Sequence, residues 1–242
     1  MLVLLLLALG VLLGSVEALY RYGLSLVGEL PRPPVALRTD LATRALWADT
    51  EEGPLRLEPR WSWTLAADFV QTLWLDSRYE RHERTAGSQL AWYVARQWMR
   101  SRPGPEARSP RNWHLRGLAL SVWLSRHWSA EEVLTAYAEG VWFGRDLTGL
   151  DAAARRYFGK PPGQLVLHEA ALLAGLPQSP ERNDPFCHPE RARQRRDVVL
   201  SRLQRLGWIS DTEREEARKQ PLLPVGLSVE EAAACARPRG PR

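Results

Sequence analysis

The stretch "GLDAAARRYFGKPPGQLVLHEAALLAGLPQSP", residues 149–180, decides the fold. The alanines at 152 to 154, just after Asp151, favour helix, and Gly159 followed by Pro161 and Pro162 ends it, because glycine accepts a left-handed backbone and proline has no N–H to donate. A second, apolar helix is predicted from Leu167 to Leu176, closed by Pro177. Between and around these helices stand Tyr157, Phe158, Lys160 and Gln164, more specific residues than a surface loop requires.

Working outward, "SAEE" at 129–132 is a capping box, in which the serine oxygen takes orphan helix N–H groups and the third residue's glutamate folds back; it predicts a helix to about Glu139. Apolar residues at helical spacing predict further helices over Trp63–Leu75, Leu90–Met99 and Leu115–Trp128. A last amphipathic helix is predicted after an N-cap at Asp211. No alternating run of strand quality competes with these, and no internal repeat is visible. The fold class is therefore mostly α, with a domain over 43–223 and a flexible tail over 224–242 that ends in "CARPRGPR".

The N-terminus has a different composition. Leu2 to Leu13 is apolar apart from Gly10, and the run continues to Tyr20, about the ~20 residues a spanning helix needs. Residues 1–22 are read as an uncleaved transmembrane anchor, with a cleavable signal peptide, its small-residue site at Val16–Ala18, as the alternative. A Pro-rich linker follows over 23–42, where "ELPRPPVALRTD" cannot continue a helix. The net charge of +5 rests almost wholly on arginine, since Lys160 and Lys219 are the only lysines. Such a balance suits an anionic partner or simply an arginine-rich solvated surface. Nucleic acid would explain the charge but not the apolar segment, and is not expected. Cys187 and Cys235 show no metal-like spacing, so no zinc site is assigned and their pairing stays open.

The segment from Ser129 to Pro185 resembles the C-terminal conserved region of the family 51 glycosyltransferases, the peptidoglycan glycosyltransferases. The matches are Tyr137, Phe143, Gly144, Gly149, Ala152, Ala153, Tyr157, Phe158, Gly159, Lys160, Glu169, Ala170, Ala171, Leu176, Pro177 and Pro180, with Glu139 in place of the family's asparagine. The resemblance implies a lysozyme-like helical domain of the monofunctional class in the bacterial inner (cytoplasmic) membrane, single-pass, with its catalytic-like domain on the periplasmic or outer side. It also implies lipid II and the nascent glycan strand as substrates, other cell-wall synthesis proteins as partners, and a divalent cation as the one conceivable cofactor. For Tyr157, Phe158 and the alanines, packing is the expected role.

The implied reaction is an inverting displacement of undecaprenyl diphosphate. It calls for a carboxylate to take a hydroxyl proton and cations to hold the leaving group. "RTAGSQLAWYVARQW", 84–98, resembles the family's Gly-Gly-Ser-Thr-x-x-Gln-Gln-x-x-Lys motif: Gly87 and Ser88 match and Arg96 stands for the lysine, while Trp92 and Tyr93 replace the paired glutamines. "TEEG" aligns Glu51 with the first carboxylate, making Glu51 the candidate general base; an exposed acidic loop explains the same residues. The third motif, Arg-Lys-x-x-Glu, fails. Gly117 falls at the second carboxylate, with Trp113 and His114 at the Arg-Lys positions, and a shifted register that uses Arg111 gives Leu115 instead. Candidate substrate-binding residues are thus Gly87, Ser88, Arg96, Arg111, His114 and Lys160. A glycan polymerase and a catalytically inactive homologue serving as scaffold or regulator of cell-wall synthesis both stand. A lysozyme-like hydrolase is disfavoured by the want of a second carboxylate.

Overall fold

The computed structural model describes residues 1–36, 39–51, 53–64, 85–102, 110–222 and Cys235. The described elements are helices α1 (Leu2–Ser25), α2 (Leu41–Thr50), α3 (Ser88–Ser101), α4 (Pro110–His127) and α5 (Ala130–Gly140), strands β1 (Trp142–Gly144) and β2 (Leu147–Thr148), then α6 (Leu150–Phe158), a 3₁₀ turn at Pro162–Gln164, α7 (Leu167–Gly175), α8 (Pro189–Arg205) and α9 (Asp211–Lys219). The protein is mostly α. It divides into two compact units, one of Met1–Val35 with Leu55–Val133 and the other of Ala36–Pro54 with Leu134–Arg242, the boundary falling inside α5.

In the first unit, α1 is long and apolar enough to cross a membrane; 24 residues at ~1.5 Å each exceed the ~30 Å hydrocarbon thickness. Leu2, Val3, Leu4, Leu6, Leu7, Leu9, Val11, Leu12 and Leu13 stand exposed, as a lipid-facing surface would. The C-terminal half is tied down. Ser62 donates to Glu17 at 2.7 Å, the Arg126 guanidinium lies over the rings of Tyr20 and Trp61, and its Nε donates to the Arg60 carbonyl at 2.7 Å. Gly23 lets α1 touch α4, for a Cβ there would sit 3.0 Å from Leu115 and Ala119 side-chain atoms. Helices α3 and α4 pack against each other, with Trp92 and Met99 of α3 lying against Gly117 of α4 and with Leu90 and Leu120 buried.

In the second unit, α7 packs between α2 and α8 around Leu46, Trp47, Leu172, Leu173, Val199 and Leu200. Asp40 caps α2 by accepting from Thr43 N–H at 2.9 Å. Three arginines here are structural. Asp49 accepts both Arg195 contacts at 2.5 Å and another from Arg202, and Gly175 makes room, since a Cβ there would meet Arg195 Cγ at 2.8 Å. Arg196, wholly buried, donates to the carbonyls of Arg218 and Gln220 at the end of α9, where helix carbonyls lack partners of their own.

Several expectations need correction. The helix expected over Trp63–Leu75 is helical at 62–64, and the remainder lies outside the described residues. Helices α2 and α8 and the β1–β2 hairpin were not foreseen from sequence. The last helix is capped by Ser210, whose Oγ accepts from Glu213 N–H at 3.2 Å while Glu213 returns to Ser210 N–H at 2.7 Å, not by Asp211, which is the first helical residue. Cys235 is joined to Cys187 by a disulfide, and the rest of the expected tail, 224–242, lies outside the described residues. The predicted capping box at Ser129 is present, with reciprocal bonds to Glu132 of 2.6 and 3.1 Å.

Candidate functional site

The residues shared with the family's C-terminal region brace one another. Gly149, at φ 88°, would place a Cβ 2.8 Å from the Glu139 carbonyl, and Gly144, at φ 85°, would place one 3.0 Å from Pro180. Both positions therefore demand glycine for conformation and for space. Glu169 accepts from the Val166 N–H at 3.0 Å, capping α7, and pairs with Lys160 Nζ at 2.7 Å. Lys160, expected to bind substrate, is thus engaged in joining the end of α6 to the start of α7. Tyr157 is buried, its hydroxyl 3.5 Å from the Phe143 carbonyl. Burial pushes its phenol far above the ordinary range, so it stays neutral and serves packing.

Glu51 belongs to this second unit, at the C-cap of α2, with its N–H bonded to the Trp47 carbonyl at 2.7 Å. Only 3% of it is exposed, which does not describe an exposed acidic loop. It is fixed from the neighbouring turn too: Trp47 Nε1 donates to Gly53 O at 3.0 Å.

The remaining candidates lie in the first unit. Gly87 caps α3 in the left-handed conformation, φ 76°, and a Cβ there would strike Leu57 at 2.6 Å. The neighbouring Glu58 N–H donates to Ala86 O at 3.1 Å, so the segment after "TEEG" runs beside the start of α3. Ser88, Trp92 and Arg96 follow at four-residue steps and share one face of that helix. Arg96 is half-buried, its guanidinium 6.0 Å from the Trp92 ring centroid. Arg111 stands in the first turn of α4, and His114 is exposed one turn on.

What sequence reasoning missed is the relation between two departures. Gly117, aligned with the second carboxylate in one of the two registers, is buried against Trp92, aligned with the first glutamine: a Cβ at 117 would meet the indole at 2.8 and 3.0 Å, and Met99 at 3.0 Å. The ring occupies the volume a side chain at 117 would need. A large residue gained in one motif and the smallest in the other was the available signal, but only contact shows that they compensate. No side-chain oxygen stands at 117, and no group of three or more His, Cys, Asp or Glu side chains that could hold a metal ion is found among the described residues.

A family model described as transglycosylase matches residues 68–204, more than half the chain. The chain belongs to the transglycosylase family. Among relatives, penicillin-binding protein 1C of Escherichia coli is 34% identical over 195 residues, covering 79% of this chain and 24% of its own length. Penicillin-binding protein 1A of Aquifex aeolicus is 42% identical over 103 residues, 43% of this chain and 14% of that one. A crystal structure of penicillin-binding protein 1A from Haemophilus influenzae aligns at 27% identity over 55% of this chain and 16% of its own, with a TM-score of 0.36. This transglycosylase-family chain thus spans less than a quarter of those penicillin-binding proteins.

Proposed function

We propose that this transglycosylase-family protein sits in the bacterial cytoplasmic membrane through α1, faces the outer side, and engages lipid II without polymerising it, as a scaffold or regulator of cell-wall synthesis. The observation that carries this reading is the Trp92 ring beside Gly117, so close that a Cβ built at 117 would stand 2.8 Å from it. Loss of one positioned electrostatic group costs ~10²- to 10³-fold in rate, and here the space for its replacement is filled. The Cys187–Cys235 disulfide supports the outer side, since disulfides persist in oxidising compartments. Arg96 supports an engagement with diphosphate, as a half-buried guanidinium on the face that begins at Ser88.

A second reading, a divergent polymerase with Glu51 as base, is favoured by the burial of Glu51 at a helix terminus, a setting typical of working carboxylates. Purified, detergent-solubilised protein incubated with lipid II separates the two. Absence of glycan product, with lipid II binding that Arg96→Ala weakens, is the expected result. Product that disappears in Glu51→Gln would establish the polymerase and end the first reading.

A further inference from the structure

Within the first unit, just beyond the apolar helix, lies an open cavity of about 390 Å³, a volume in the range of ligand pockets, about 300–1,000 Å³. The turn from Val27 to Glu29 forms one wall, and Trp98, Met99, Arg102 and Arg116 form the other. Gly28 turns the chain at φ 79°, and a Cβ built on it meets nothing within 4 Å. The rim is organised: Trp98 Nε1 donates to the Glu29 carbonyl at 3.1 Å, the Arg102 guanidinium stacks 4.1 Å from the Trp98 ring centroid, and Arg102 pairs with the Glu29 carboxylate.

Arg116 is the anomaly. It is only 4% exposed, and its buried Nε has no hydrogen-bond partner among the described residues. A guanidinium keeps its charge at any physiological pH, and a buried charge without a partner is strongly unfavourable unless something supplies the acceptor. Glu29 does not do so; its side chain is 60% exposed on the rim and engaged by Arg102. The lining therefore carries one net positive charge. The chemistry fitting it is a phosphate ester, which offers several acceptor oxygens to a guanidinium fork.

Position indicates where that phosphate comes from. Gly23, in the last turns of α1, packs on Leu115 and Ala119 of α4, the residues that flank Arg116. The guanidinium consequently lies level with the end of the apolar helix, where lipid headgroups and interfacial tryptophans reside. We propose that this cavity holds the phosphate of an anionic phospholipid headgroup, with Arg116 as its principal partner and Trp98 and Arg102 as its rim. Such a site fixes the depth and rotation of the first unit at the membrane surface, and is separate from the Ser88–Trp92–Arg96 face of α3.

The test uses the full chain in a neutral detergent, melted by intrinsic fluorescence while dihexanoyl phosphatidylglycerol, dihexanoyl phosphatidylcholine or inorganic phosphate is titrated in. Phosphatidylglycerol is expected to raise the melting temperature saturably, with half-saturation at least tenfold lower than for either control. Arg116→Gln should weaken that response at least tenfold, Arg116→Lys should retain part of it, and exposed Arg100→Gln should leave it unchanged. Without lipid, Arg116→Gln should melt no lower than the parent, a result that a merely structural Arg116 would not give. Should Arg116→Gln fail to fold, loss of the response in Arg102→Gln carries the same conclusion. Equal responses to the two lipids, a full response to phosphate alone, or an unchanged response in both arginine variants would overturn the proposal.

Discussion

At position 117 the missing Cβ lets the Trp92 ring lie where a side chain would otherwise project, at 2.8 Å from an ideal Cβ. Restoring a carboxylate there is consequently a two-residue problem. Gly117→Glu alone forces a charge into occupied, buried space and is expected to cost more than about 3 kcal/mol of stability. In a Trp92→Gln background the same change should cost at least about 1 kcal/mol less, because the colliding ring has gone. Chemical denaturation of the four proteins measures that coupling, and additive costs would show that the two residues do not share the space. The sequence showed each departure from the family pattern separately. Their complementarity was invisible, because 25 positions of chain separate them and only helix packing joins them.

At the scale of elements, the β1–β2 hairpin shows why some structure escaped a reading of pattern. Its two-residue loop puts Arg145 at φ 50° and Asp146 at φ 59°, the twist-matching turn usually built from Asn-Gly. A left-handed arginine is costly on local grounds. It is held by contacts remote in sequence: Nε to Asp184 at 2.7 Å, with the guanidinium 4.7 Å from the Phe186 ring centroid. Arg145→Ala leaves the buried Asp184 carboxylate without that partner and should cost about 3–5 kcal/mol, read from the denaturation midpoint, whereas a loss under about 1 kcal/mol would mean that the turn supports itself. Helix α8 escaped for another reason. Its apolar face is the sparse set Ala192, Val199, Leu200 and Leu203, hidden among arginines that reach Asp49 and, from the buried Arg196, the end of α9. By contrast α5, α6 and α7 were legible, because capping boxes, glycine stops and prolines act within a few residues.

For the whole molecule, some of the arginine that suggested an anionic partner is engaged in internal ion pairs, as Arg145, Arg195, Arg196 and Arg202 show. The disulfide closes a separation of 48 residues and secures Cys235 to the turn before α8. Reduction, or Cys187→Ser, should lower stability by about 2–4 kcal/mol, seen as a drop in melting temperature on adding reductant that the serine variant does not show. Stability should also depend on pH through His168. Burial, the largest cause, with help from Arg196 and Lys160 and against the pull of Glu169, holds its imidazole pKa below the ordinary 6.5. The unfolded chain therefore binds the proton more readily, and the contribution present above 6.5 is lost as pH falls toward the folded value. A melting temperature that declines between pH 7 and 5.5, and declines less in His168→Gln, is the expected outcome; identical slopes would remove His168 from the account.

Sequence alone determined the mostly helical class, the apolar N-terminal segment and the family, because these rest on periodicity, composition and a run of residues from Tyr137 to Pro180 that act on near neighbours. Tertiary structure decided what those residues do. It paired Lys160 with Glu169, buried Glu51, and joined Cys235 to Cys187. It also set Trp92 against Gly117 and left Arg116 buried beside an open cavity. Each of these depends on distance between residues far apart in the chain, and burial and charge compensation are properties of that packing which local pattern does not encode.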